Sequence, residues 1–300
     1  MAKIAVELER ALARRATNGT AGHPVTRSLA QGDGWSVDDV LCTSGPRDQP
    51  FEEQHSCVRV VIVAAGSFQY QAAGALRLGR ELMTPGSLLL GNAGQYFECG
   101  HQHGAGDRCL SFGYAPAYFE RLAADAGGSK IKPQFGIPRL PPLRALSPLV
   151  ARACDGLTGS IDAPWEELSI QLAARAVQLA GGQVYNPNGT PSGAVARVTR
   201  VVRQIERHPE GNLTLGGLAR EAGLSPYHFL RTFQHLTGLT PHQYILRARL
   251  REAALRLTAD RTRILDIALD SGFGDVSNFN RAFRAEFGVS PRAYRLQFSR

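Results

Sequence analysis

The chain has no long hydrophobic run, few cysteines and no lysine in its last third, and each shortage narrows what it can be. The longest apolar stretch, Val58 to Ala65, is broken by Arg59 and far too short to cross a bilayer, and no secretory h-region stands at the amino terminus. These absences predict a cytoplasmic protein with no membrane partner. The five cysteines, Cys42, Cys57, Cys99, Cys109 and Cys154, are few and odd in number, which argues against a disulfide framework and fits a reducing compartment. With 43% hydrophobic and 20% charged residues over 300 positions, neither disorder nor fibrous structure is indicated. The length allows one large domain or two ordinary ones.

Arginine replaces the missing lysine. Residues 195–300 contain 17 Arg against 9 acidic residues, whereas residues 1–194 hold 17 of each sign, so the whole net charge of +8 lies in the carboxy-terminal third. An arginine excess confined to one segment suits a polyanion, because guanidinium forks match phosphate oxygens and counterion release drives the association. A solvated basic surface is the plainer alternative.

That same third contains one pattern written twice. Ala219, Gly223, Phe229, Arg231, Phe233, Gly238, Pro241 and Tyr244 recur as Ala268, Gly272, Phe279, Arg281, Phe283, Gly288, Pro291 and Tyr294, with one residue inserted in the second turn at Gly274-Asp275. A self-match of this length marks a duplicated supersecondary unit.

Upstream, Ile4, Leu8 and Leu12 allow a short amphipathic helix over 4–15, either docked or frayed. From Trp35 the texture becomes short β-prone pieces at 35–42, 58–65, 67–71, 76–79, 87–91, 95–99 and 108–114, which predict a small antiparallel barrel or sandwich. Helices are expected over Ala117–Ala126, Leu143–Cys154 and Trp165–Ala180, covering the barrel or forming a subunit interface. The nearly uncharged, breaker-rich stretch 181–194 reads as a linker, giving an expected division into 1–180, 181–194 and 195–300.

One polar cluster upstream has the composition for chemistry. If Cys99 to His103 is extended, Cys99, His101 and His103 share a face, with Asp107 and Cys109 on the returning strand. Cys99, His101, His103 and Cys109 are therefore the candidate ligands of a metal ion, or a group that senses thiol oxidation, and a polar hairpin capping its own turn is the alternative. His55, before strand 58–65, is a candidate effector-binding residue or else a surface histidine.

Downstream, Val198, Val201, Val202 and Ile205 stripe a helix over 195–207. Thr214 caps Leu215–Ala222, Gly223 turns, and Ser225-Pro226 restarts a helix, which together make a helix-turn-helix. Phe229, Phe233 and Leu236 take its inner face, leaving Tyr227, Arg231 and Gln234 outward. The copy turns at Gly272 and places Phe279, Phe283 and Phe287 inward, with Ser277, Asn280, Arg281 and Arg284 as its outward candidates. A 17-residue helix over His242–Thr258, roughly 25 Å long, joins the two units and could set them about one DNA turn apart.

The segments Ala-Gly-Leu-Ser-Pro-Tyr-His-Phe-Leu-Arg-Thr-Phe (222–233) and Ile-Leu-Asp-Ile-Ala-Leu-Asp-Ser-Gly-Phe-Gly-Asp (264–275), with Phe-Gly-Val-Ser-Pro-Arg-Ala-Tyr (287–294), resemble the DNA-binding domain of the AraC/XylS family of transcription regulators over about 195–296. The resemblance implies two helix-turn-helix units reading adjacent major grooves of double-stranded DNA, with Tyr227, Arg231, Ser277 and Arg281 at contact positions. The amino-terminal half is similar to the cupin-type sensor and dimerisation domain of that family through its Pro85-Gly86 turn and strand texture. The expected fold class is thus α+β with two domains: a cupin-like antiparallel β-barrel with accessory helices, then an all-α double helix-turn-helix. The expected function is a non-enzymatic regulator responding to a small-molecule effector, a homodimer, and a partner of RNA polymerase if it activates. A metal-dependent cupin enzyme, a cysteine-based alkyl-transfer repair protein and a nucleoid binder are the alternatives.

Overall fold

The computed structural model describes residues 2–72, 80–127, 133–159, 163–181, 192–259 and 261–298. The strand expected at 76–79 and most of the linker expected at 181–194 lie outside these residues.

The amino-terminal half is built on two antiparallel sheets. Strands β1 (Pro24–Gly32), β2 (Trp35–Cys42), β3 (Phe51–Gln54), β4 (Val58–Gly66), β5 (Phe68–Ala72), β6 (Glu81–Met83), β7 (Leu88–Gly91), β8 (Tyr96–Gly100), β9 (Asp107–Tyr114) and β10 (Arg139–Leu140) pair in the orders β1-β2-β9-β4-β7-β10 and β3-β8-β5-β6. The expected barrel is not closed among the described residues; the architecture is two facing sheets. Among the described residues, β1, β3, β6 and β10 were not expected from the sequence. β1 is a half-exposed edge strand of mostly polar residues, so it shows no apolar alternation, although the Asp33-Gly34 turn that joins it to β2 was a hairpin signal.

The six-stranded sheet is covered on both faces, which explains the almost unbroken apolar run of β4. Val60, Ile62, Leu110 and Phe112 face helices α2 (Pro116–Asp125), α3 (Ser147–Leu157) and α4 (Trp165–Ala180), while Val61, Val63 and Cys109 face the smaller sheet across Phe68, Tyr70 and Met83. Helix α1 (Ala2–Asn18) is docked and not frayed: Ile4 and Leu8 join the first of these cores, and Glu7 pairs with the buried Arg108.

Among the described residues seven helices follow: α5 (Ser192–Arg207), α6 (Leu215–Glu221), α7 (Pro226–Thr237), α8 (Pro241–Ala259), α9 (Ile264–Asp270), α10 (Val276–Phe287) and α11 (Pro291–Phe298). Helix α8 lacks a clear apolar stripe because it serves several cores. Tyr244, Ile245 and Ala248 enter the first helix-turn-helix, Leu250, Ala253 and Leu257 the second, and Leu255 reaches the amino-terminal core.

The second helix-turn-helix is also pinned to α3. Glu286 of α10 is buried beside Arg247 at 3.2 Å and Arg144 at 3.4 Å, and accepts a hydrogen bond from Ser147. Asp155 of α3 is fully buried and accepts from Thr258 Oγ1 of α8 at 2.7 Å and from Tyr294 of α11 at 3.4 Å. Burial pushes its carboxyl up from 3.8 to about 7, against the opposing pull of the Thr258 and Tyr294 hydrogen bonds. A folded value above the unfolded one means that its contribution to stability is fully present below pH 3.8 and is lost as pH rises to about 7. Asp155→Asn is therefore expected to remove a pH-dependent loss on the order of 4 kcal/mol across that window. Denaturant midpoints measured against pH check this, and parallel wild-type and variant curves would contradict it.

Candidate nucleic-acid interface and cavity

Helices α7 and α10 begin and end by the same local chemistry. Thr214 Oγ1 caps α6 by accepting from the Gly217 N–H, Ser225 caps α7 through the His228 N–H, and Asp275 caps α10 through the Asn278 N–H. Gly238 and Gly288 close α7 and α10 with φ of 77° and 79°, a left-handed conformation that only glycine adopts without penalty. The insertion in the second turn is thereby explained. Leu224 and Phe273 each donate back to the Ala219 or Ala268 carbonyl, and Gly274 then lengthens the path to the cap.

Beneath each helix lies an aromatic core. Phe229 and Phe233 sit 5.5 Å apart with Tyr244 edge-on at 5.6 Å, and Phe279, Phe283 and Tyr294 repeat the arrangement at 5.5 and 5.4 Å. Each core fixes which side of its helix faces outward. Tyr227, Arg231 and Gln234 of α7 and Ser277, Asn280, Arg281 and Arg284 of α10 are all exposed. Arg231 donates to the Tyr227 hydroxyl at 3.3 Å, and Arg281 to Asn278 Oδ1 at 3.3 Å.

Not all of the arginine excess is available to a polyanion. Arg249 binds the carbonyls of Pro209, Gly211 and Gly272 at 2.7–2.9 Å, Arg251 holds Glu206 at 2.6 Å, and Arg247 binds Glu286 and the Pro142 carbonyl. These side chains hold the two units and the sheet domain together. Sequence alone gave no sign of this, because helix spacing does not tell which arginine meets a distant carbonyl.

The helix-turn-helix domain family matches residues 218–297. The HTH-type transcriptional activator AarP of Providencia stuartii is 32% identical over 99 residues, which cover 33% of this chain and 73% of that protein. The chain belongs to the AraC/XylS family of transcription regulators. Its carboxy-terminal third is the DNA-binding domain of that family. The HTH-type transcriptional regulator MtrA of Neisseria gonorrhoeae is 29% identical over 101 residues, 34% of each chain. A solved AraC-type transcriptional regulator from Chromobacterium violaceum is 28% identical, covering 37% of this chain and 98% of that one, with a TM-score of 0.34. The AraC/XylS likeness to these relatives thus spans about a third of the chain.

Between the two sheets lies a cavity of about 290 Å³, lined by residues of both. His55 lines it and is buried, so the surface alternative fails. Its Nε2 is 3.0 Å from the Tyr70 hydroxyl, its ring stacks on Phe97 at 4.1 Å, and burial, helped by the Arg59 charge, brings its pKa down to about 4. Arg59 pairs with Asp38 at 3.3 Å on the same wall.

The structure does not gather Cys99, His101, His103 and Cys109 into one ligand set. Strand β8 ends at Gly100, and the chain then turns, with the Gly104 N–H donating to the His101 carbonyl, so alternation is lost and His103 lines a pocket with Arg200, Arg203 and Arg207 of α5. His101 instead bonds Asp107 Oδ1 at 2.6 Å, and the metal-competent group found among the described residues is Cys42, His101 and Asp107. Cys42 was missed because its placement depends on pairing: in the β2–β9 ladder it lies directly across from Asp107. Burial pushes the Cys99 and Cys109 thiols well above 9.0 and that of Cys154 to about 11, the opposite of what an alkyl-accepting nucleophile needs.

Proposed function

We propose that the protein is a cytoplasmic regulator that reads two adjacent major grooves, α7 presenting Tyr227, Arg231 and Gln234 and α10 presenting Ser277, Asn280, Arg281 and Arg284. The observation that carries this is the pair of independently capped helices, each seated on its own aromatic core and each offering an exposed polar row. Because the one-residue insertion at Gly274-Asp275 makes the two units unequal, the two helices are expected to read different sequences. Residues 1–180 are then the sensing and dimerisation unit, 181–194 the connection and 195–300 the DNA-binding unit. A small-molecule effector would occupy the 290 Å³ cavity, with His55 as one of its contacts. In an activator the homodimer would bring RNA polymerase to the promoter.

The test is binding to the upstream region of its own gene against random duplex at moderate salt. Arg231→Ala is expected to cost about 1–3 kcal/mol of specific binding and to relax sequence preference at one position. Affinity should also fall steeply with salt, as phosphate contacts release counterions. Equal affinity for both duplexes would exclude sequence-specific regulation and leave the nucleoid-binder alternative.

A further inference from the structure

Three side chains that DNA binding leaves unused converge on the cavity wall. Cys42 ends β2, Asp107 begins β9 opposite it, and His101 follows β8; all three are buried, and their donor atoms lie within 4.8 Å of one another. They come from different elements, so the fold itself and not a local turn brings them together. The Cys109 thiol donates to Asp107 Oδ2 at 3.2 Å, placing another sulfur beside the group. A thiolate, an imidazole and a carboxylate are a donor set suited to borderline divalent cations, and three protein donors leave a coordination position free. We propose that Cys42, His101 and Asp107 bind a thiophilic divalent cation of the zinc class, with the free position open to the cavity that all three line. On binding, the Cys42 S–H bond breaks, the sulfur bonds the cation and the proton goes to solvent.

The site is linked to the DNA-binding half. His101 and Asp107 flank the loop 102–106, and Arg203 of α5 donates to the Ala105 and Gly106 carbonyls at 2.9 and 3.3 Å, and to Ser67 O and Oγ at 3.1 Å each. A Cβ on Gly104 would lie 2.2 Å from Arg203 Nε, so glycine is what admits the guanidinium. The same helix sends Val198, Val201, Val202 and Ile205 into the first helix-turn-helix core. Drawing His101 and Asp107 onto an ion therefore moves the carbonyls that Arg203 holds, and occupancy shifts DNA affinity. This coupling rests on the DNA-binding reading; the ion site does not.

The experiment uses the full chain stripped with a chelator, with cobalt(II) as the probe and zinc(II) as competitor. A thiolate-to-cobalt charge-transfer band saturating at one ion per chain, and displaced by zinc, is expected. Cys42→Ser should abolish the band and weaken zinc binding by about 100-fold, and Asp107→Asn by at least about tenfold. Cys57→Ser and His103→Ala should leave both unchanged. No band in the wild-type chain, or a band that survives Cys42→Ser or vanishes in Cys57→Ser, overturns the site, and the wild-type and Cys57→Ser results decide even if Cys42→Ser does not fold. For the coupling, zinc should change DNA affinity several-fold in the wild type and not in Arg203→Gln, which keeps the cobalt band. A wild-type band with unchanged DNA affinity sustains the site and overturns the coupling. Failure to prefer the upstream region at any metal level overturns the regulator reading and leaves the cobalt result standing.

Discussion

Phe283→Ala is expected to cost about 3–5 kcal/mol and to unfold the second helix-turn-helix before the first. The ring is fully buried, with Phe279 at 5.5 Å, Phe287 at 4.5 Å and Tyr294 at 5.4 Å, so truncation removes contacts on three sides at once. Those rings belong to α10 and α11 and cannot collapse into the space without moving the helix that carries Arg281. Domains hold only about 5–15 kcal/mol in total, so a loss of this size takes a large share of it. Denaturant unfolding measures the energy. Footprinting then separates the units, with protection lost where α10 lies and kept where α7 lies. A cost below about 1 kcal/mol, or loss of both protected segments together, would refute the idea that each unit has its own core.

The second large effect is expected at Arg108. Its guanidinium is 4% exposed and bonds Asp39 through two parallel contacts of 2.9 Å, with Glu7 of α1 on its other side. Burial alone would raise the Asp39 carboxyl, but the hydrogen bonds and charge of Arg108, joined by those of Arg27, hold it below 3.8. This stabilisation is present above pH 3.8 and is lost as pH falls through the lowered value. Arg108→Met leaves Asp39 facing only the largely exposed Arg27, and about 3–5 kcal/mol should be lost. Removing both charges, in Arg108→Met with Asp39→Leu, should recover most of that loss, because the penalty comes from the uncompensated carboxylate. Chemical denaturation of the two variants is the check. If the double variant is no better than the single, the ion pair is not the cause.

The carboxy-terminal architecture was legible because its rules act over a few residues. Thr214 and Ser225 cap the helix N–H groups within their own first turns, Gly238 and Gly288 end helices by their own backbone, and the phenylalanines repeat at helical spacing. The outward direction of Arg231 and Arg281 followed from the inward direction of Phe233 and Phe283. Where local pattern was weak, as in the polar edge strand β1, even the existence of an element was missed. Cys99, His101 and His103 do not share one face for a related reason: alternation along them assumes an extended strand, and β8 ends at Gly100.

The sequence by itself determined the duplicated helix-turn-helix, the caps Thr214 and Ser225 and its outward-facing residues, and through these the family. Only the tertiary structure decided that Cys42 meets Asp107, that His55 is buried against Phe97, that Arg203, Arg249 and Arg251 serve the fold, and that Asp155 and Glu286 tie the halves together. Helix periodicity and capping are set by neighbours three or four residues away. These other contacts join residues far apart in sequence, and only sheet pairing and the docking of one half on the other could place them.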